Sequence, residues 1–168
     1  MARRLLELDP TLWLSRSWTT RTPRRTEVGH EYTFVTRDDF QAAIARGFFY
    51  EWADFHGHYY GTPIPEAPEG SDVLLEIEVE GARQVREREP GAVIILITAP
   101  TMHTLEMRLR GRGDDEEHIS ARLESTRREV AKGAELANFK VVNDDVERVS
   151  REILSILEGL RQSRRIPS

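Results

Sequence analysis

A chain of 168 residues, 39% of them hydrophobic and 32% charged, is long enough for one domain with a substantial core. Its net charge of −5 argues against a general nucleic-acid binder, and no apolar run approaches the ~20 residues that cross a bilayer. The absence of cysteine excludes disulfides and thiolate metal sites, and the N-terminus M-A-R-R-L-L-E-L-D carries acids and no secretory apolar core, so a cytoplasmic protein is expected.

Met1 to Leu8 reads as the end of a helix, with Asp9-Pro10 as its stop. Leu12 to Ser17 reads as a short strand, and Tyr32 to Val35 as another. A helix is expected from about Asp38 to Arg46, capped by Asp38 or Thr36. Phe48 to Phe55 is a strand with aromatic faces, Gly57-His58 a turn, and Tyr59-Tyr60 the returning strand. These pieces predict a small antiparallel lobe. Pro63 to Ser71 is a proline-rich loop.

Asp72 to Val79 and Ala92 to Thr98 are apolar runs suited to strands buried on both faces of a parallel sheet, joined by a crossover helix that Pro90-Gly91 ends. Thr101 to Arg110 is the next helix, and Gly111 and Gly113 bracket Arg112 as hinges. Glu116 to Ala137 is a long, highly charged helix whose few apolar positions (Ile119, Leu123, Val130) suit a mobile lid. Lys140 to Asn143 is a last strand. Asp144 to Arg161 is an amphipathic closing helix carrying Val146, Val149, Ile153, Ile156 and Leu160, with fraying expected from Gln162 onward.

The stretch from Ser17 to Thr62 concentrates the chemistry. It runs S-W-T-T-R-T-P-R, then Tyr32, then E-W-A-D-F-H-G-H-Y-Y-G-T. Arg21 and Arg24 flank Pro23, which fixes its own φ and disfavours helix at Thr22, so two guanidinium forks are held ready for phosphate oxygens. Glu51 can accept two parallel N–H bonds, which is what a guanine edge offers. Glu76 and Glu78 alternate on a strand expected to be buried, which places both on one face and calls for a cation, an arginine or a ligand beside them. The five histidines show no metal spacing, and no metal site is expected.

These motifs, with R-L-R-G-R-G at Arg108–Gly113 and V-V-N-D-D at Val141–Asp145, resemble the guanylate kinase family in content and order, from about Met1 to about Leu160. The resemblance implies an α/β fold of the P-loop NTPase class: a parallel sheet with helices on both faces, a small antiparallel GMP-binding lobe and a helical lid. In one domain the core would take 1–18, 72–110 and 138–162, the lobe 19–71 and the lid 111–137. The implied reaction is ATP-dependent phosphorylation of GMP, and of dGMP, to the diphosphate, with Mg2+ carried on the nucleotide. GMP and ATP are then the expected partners, without nucleic acid or membrane; nothing in the sequence specifies an oligomeric state.

By resemblance Ser17, Arg21, Arg24, Tyr32 and Tyr60 hold the GMP phosphate, and Glu51 and Thr62 read guanine. Adenine would leave the Glu51 carboxylate desolvated and unpaired. Relatives usually have Asp where Glu78 stands, an acid that helps position GMP and the metal-bound water; Glu76 holds the acidic position before it. Arg108, Arg112 and Arg122, with Arg21, are the implied phosphoryl-transfer set. Such chemistry needs alignment, exclusion of water and positive charge on the equatorial oxygens. Arg110, Arg127 and Arg128 read as solvated. Asn143 is implied near the adenine of ATP; a lone Asn here is also a common helix cap, a role open to Asp144.

Guanylate kinases open with a buried strand and a G-x-x-G-x-G-K-[ST] loop whose N–H groups and lysine cradle the donor phosphates. The 168 residues contain no such motif, and no lysine precedes Lys132. In the related fold that strand lies between those at Asp72–Val79 and Ala92–Thr98, and each buried orphan N–H or C=O costs ~1–3 kcal/mol against a domain stability of ~5–15 kcal/mol. An upstream strand and loop are therefore expected, with Met1 a valine codon read as an alternative start. Three readings stay open: a guanylate kinase, a non-catalytic GMP-binding or interaction module lacking the donor loop, and a phosphotransferase with altered donor or acceptor.

Overall fold

Residues 1–23, 32–111, 114 and 116–165 are described by a computed structural model. The elements run α1 (Ala2–Leu8), β1 (Leu12–Leu14), β2 (Ser17–Thr19), β3 (Tyr32–Phe34), α2 (Arg37–Ala45), β4 (Phe49–Phe55), β5 (His58–Pro63), β6 (Asp72–Leu74), α3 (Val79–Arg88), β7 (Ile95–Thr98), α4 (Met102–Gly111), α5 (Glu116–Leu136), β8 (Phe139–Val142) and α6 (Val146–Arg165). Contacts divide the chain into two units. One comprises Met1, Arg3–Leu5 and Val93–Ser168, the other Ala2 and Leu6–Ala92.

In the second unit, α2 begins where Thr36 accepts from the Asp39 N–H at 3.1 Å while its hydroxyl donates to the Asp39 carboxylate at 2.6 Å. It ends in a Schellman motif: Gly47, at φ 66°, donates to Ile44 O and Phe48 to Ala43 O. That stop turns Phe48 and Phe49 back onto the helix, and Phe40 stacks on Phe49 at 4.4 Å between ring centroids. Phe40, Ala43 and Phe49 form the buried centre, with Trp18, Val35, Ile44 and Tyr59 around it. The β4–β5 hairpin closes through His56 (φ 50°) and Gly57 (φ 76°), a two-residue turn with both centres left-handed, matched to the strand twist.

The sheet order is β3-β2-β5-β4. The lobe is mixed rather than antiparallel, because β2 and β3 pair in parallel, Ser17 opposite Tyr32. The single strand expected from Leu12 to Ser17 is two. Leu12–Leu14 pairs in parallel with β6, Ser15 donates to Leu74 O at 3.1 Å, and from Ser17 the chain joins the lobe sheet.

The strand expected from Asp72 to Val79 stops at Leu74, and that from Ala92 begins at Ile95. Neither is buried on both faces: Val73 is 43% and Ile97 39% exposed. Among the described residues β6 pairs only with β1 and β7 only with β8, so each lacks a second flanking strand. The pairings are parallel, as the apolar runs predict.

In the first unit, α4 is capped by Thr101, whose hydroxyl accepts from Thr104 N–H at 3.0 Å. Leu109 of α4, Ile119 of α5, Val141 of β8, and Val149 and Ile153 of α6 are buried. Asp145, not Asp144, caps α6 by accepting from Arg148 N–H at 2.8 Å. Asp144 instead bonds Arg148 Nε at 2.8 Å. The helix continues through the expected fray point to Arg165. Arg4 of α1 makes a two-pronged ion pair with Glu147 at 2.7 and 2.9 Å, which holds that carboxyl down to about 2, with Arg151 assisting.

Candidate functional site

Three strands each deliver one polar residue to the same buried place. Ser17 opens β2, Glu51 lies in β4 and Thr62 in β5, with Glu51 and Thr62 opposite each other in the ladder. All three are buried, Glu51 at 4% exposure. Thr62, through its hydroxyl and its N–H, favours the charged form of the Glu51 carboxylate. The Ser17 hydroxyl lies 3.3 Å from that of Thr62, a hydrogen bond in which either oxygen can donate. Burial pushes the Glu51 carboxyl above the usual carboxylate range, and the neighbouring Thr62 opposes that push. Glu51 is thus a desolvated acid.

Ser17, Tyr32, Glu51, Tyr60, Glu76 and Glu78 line one narrow cleft, open to solvent at its mouth. Ala53, Gly61 and Ile77 supply its apolar wall. Tyr32 and Tyr60 meet edge-on at 6.2 Å. Burial, and then the nearby Glu76 carboxylate, push the Tyr32 phenol up to about 12; Tyr60 and Glu78 add to this and Arg21 opposes it. The phenol therefore remains an O–H donor through the physiological range.

Arg21 lies with its guanidinium carbon 5.7 Å from the Tyr32 ring centre and 5.6 Å from that of Phe34. One of its amino groups donates to Thr22 O at 2.6 Å. Arg24 lies outside the described residues. Glu76 and Glu78 are not on a strand: the ladder has ended, Glu76 is exposed, and Glu78 is half-buried at the residue before α3, making no side-chain cap bond. They reach the cleft from a loop rather than from one face of a buried sheet.

The residues expected near the donor belong to the other unit. Arg108 of α4 donates to the backbone carbonyl of Asn143 at 2.9 Å, and Asn143 N–H continues the β7–β8 ladder to Thr98 O at 2.8 Å. Asn143 Oδ1 is buried and accepts no hydrogen bond among the described residues, an open acceptor of the kind that an amino group fills. Arg122 of α5 pairs with Glu129 at 3.7 Å, and Arg112 lies outside the described residues. Arg110, expected to be solvated, is exposed and pairs with Glu106 and Glu116.

Sequence reasoning passed over one helix face. Gly81 and Gln84 of α3 both touch β4 beside Glu51: a side chain at Gly81 would collide with the Glu51 carboxylate, and Gln84 bonds both backbone groups of Trp52. The available signal was a glycine inside a strongly helical pattern, which asks for a packing reason.

Residues 3–160 match the family description "Guanylate kinase". The guanylate kinase of Thermosynechococcus vestitus is 47% identical over 154 residues, covering 88% of this chain and 80% of that protein. That of Synechocystis sp. is 43% identical over 159 residues, covering 91% and 83%. The crystal structure of guanylate kinase from Anaplasma phagocytophilum superposes with a TM-score of 0.79 at 30% identity, covering 94% of this chain and 79% of that one.

Proposed function

The chain belongs to the guanylate kinase family, and on that premise we propose that it transfers the γ-phosphoryl group of ATP to GMP, and to dGMP, in the cytoplasm. One observation supports the acceptor most strongly: a buried acid, opposite Thr62 in the ladder, lining a cleft with two phenols. Glu51 would take the N1–H and N2–H of guanine. Ser17, Arg21, Arg24, Tyr32 and Tyr60 would donate to the phosphate, whose charge suits guanidinium and phenol and repels carboxylate.

In the reaction a GMP phosphate oxygen attacks the γ-phosphorus, the β–γ bridging P–O bond breaks, and ADP leaves. The protein's part is alignment and charge. Arg108, Arg112 and Arg122 would stabilise the equatorial oxygens, and the open Oδ1 of Asn143 suits the amino group of adenine. Mg2+ would arrive on the nucleotide, retaining waters that Glu76 and Glu78 can hydrogen-bond. No helix among the described residues is long and apolar enough to cross a membrane.

A coupled ADP-release assay tests this reading. ATP-dependent turnover with GMP and not with AMP is expected once a strand and a glycine-rich phosphate loop are joined upstream, and GMP binding without them; AMP turnover at an equal rate would reject the acceptor assignment. A second reading, GMP binding without turnover, draws on the lack of a glycine-rich phosphate loop within the 168 residues. It predicts GMP binding by calorimetry with no ADP release, whether or not such a loop and its strand are joined upstream.

A further inference from the structure

The first turn of α3 presses on the Glu51 carboxylate. A Cβ on Gly81 would stand 2.2 Å from Glu51 Oε2 and 2.9 Å from Glu51 Cδ, while its next neighbour, Ile77 Cβ, would be at an ordinary 3.5 Å. Gly81 does not have a left-handed φ, so the backbone there suits any residue, and alanine is intrinsically the better helix former. The space Gly81 leaves is therefore occupied by one group alone, the acid.

The strand carrying that acid is fixed on both sides. Gln84, on the same face of α3, donates to Trp52 O at 2.7 Å and accepts from Trp52 N–H at 3.2 Å. Arg88, one turn further, reaches Phe49 O at 3.5 Å. On its other edge β4 is in register with β5, Glu51 opposite Thr62. With the main chain clamped at Trp52 and laddered to β5, an intruding methyl group can be relieved only by rotating the Glu51 side chain, and rotation breaks its alignment with Thr62.

We propose that Gly81 is a specificity-determining position for the acceptor: the notch it leaves in α3 seats the Glu51 carboxylate in the one orientation that reads the nucleobase, and Gln84 keeps β4 from moving away from that notch. This rests on the reading of Glu51 as the base-recognising acid, and Gly81 acts through it as a positioning residue.

Calorimetric titration with GMP and with AMP, alongside thermal melts, tests the idea on the wild-type chain and on the Glu51→Ala, Gly81→Ala, Glu51→Asp/Gly81→Ala and Glu51→Ala/Gly81→Ala variants. Gly81→Ala should weaken GMP binding roughly 10- to 100-fold, the cost of a misplacement of about an ångström. It should leave AMP binding and the melting temperature near wild type. Glu51→Asp, one methylene shorter, should restore part of the GMP preference in the Gly81→Ala background, and Gly81→Ala should add no loss once Glu51 is Ala. If Glu51→Ala abolishes the preference but Gly81→Ala keeps it, the proposal fails and the Glu51 reading stands. If Glu51→Ala keeps the preference, the Glu51 reading fails first. If Gly81→Ala does not fold, the Glu51→Ala/Gly81→Ala variant decides: folding locates the conflict at the carboxylate, and failure to fold makes Gly81 a packing residue only and overturns the proposal.

Discussion

The two ends of the proposed reaction are built differently. The residues proposed to read the base in one unit are buried and held together: Glu51 lies opposite Thr62 in the ladder, and Thr62 bonds Ser17. The donor-side arginines of the other unit are half-buried and occupied by the chain itself, Arg108 by the Asn143 carbonyl and Arg122 by Glu129. A group that must tell one base from another gains from being immobile before the ligand arrives, since a misfit then leaves it desolvated and unpaired. A group that must respond to charge developing at phosphorus can exchange an internal partner for the nucleotide. On the proposed reading, recognition is preformed and charge stabilisation is held by replaceable contacts.

That contrast can be broken by mutation. The largest effect is expected from Arg108→Ala, which should lower kcat by roughly 100- to 1,000-fold while calorimetry finds GMP affinity unchanged. A comparable loss of GMP affinity would mean that the arginine serves the acceptor too. Next, Glu51→Ala should reduce the GMP-over-AMP ratio of kcat/KM by about 100-fold, with a smaller change in kcat for GMP. An unchanged ratio would remove the acid from base recognition.

Tyr32→Phe should weaken GMP binding by roughly tenfold, the value of one hydrogen bond to a charged group. It carries a pH signature as well. The folded phenol titrates at about 12 against an ordinary 10.0, so between those values the folded chain keeps a proton that the unfolded chain has released. The stability Tyr32 contributes is complete below the ordinary value and falls as pH rises through this window; urea melts of Tyr32→Phe should lack that part of the decline.

The smallest effect concerns Glu51→Gln. Because burial raises the Glu51 carboxyl, the folded state resists ionisation that the unfolded state accepts, and stability falls as pH rises above the usual carboxylate range. At neutral pH the amide should melt a few degrees above wild type. The gap should close as pH falls and both side chains become neutral. A gap independent of pH would assign the stabilisation to packing.

Much of this was readable in the chain. The turn residues between Phe55 and Tyr59 set the hairpin, and with it the pairing that brings Glu51 to Thr62. Thr36 as a cap and the parallel pairing of the apolar runs also follow from local chemistry. What escaped was decided by pairing at a distance. Nothing in L-W-L-S-R-S-W marks where the chain leaves one sheet for another. The alternation of E-I-E-V reads as strand, yet the ladder stops at Leu74 before reaching it. Asp144 and Asp145 are chemically equal candidates, and only helix geometry selects the second. Gly81 and Gln84 looked like ordinary helix positions because their meaning lies in β4, about 30 residues earlier.

The Gln84 amide also bears on solubility. β4 is the outermost strand of its sheet, and such a margin offers unsatisfied N–H and C=O groups to any other extended chain. By occupying both backbone groups of Trp52, a residue itself 36% exposed, Gln84 imitates a neighbouring strand and closes that margin beside a large exposed apolar side chain. Its loss is expected to appear first in concentrated solution, as self-association that grows with protein concentration.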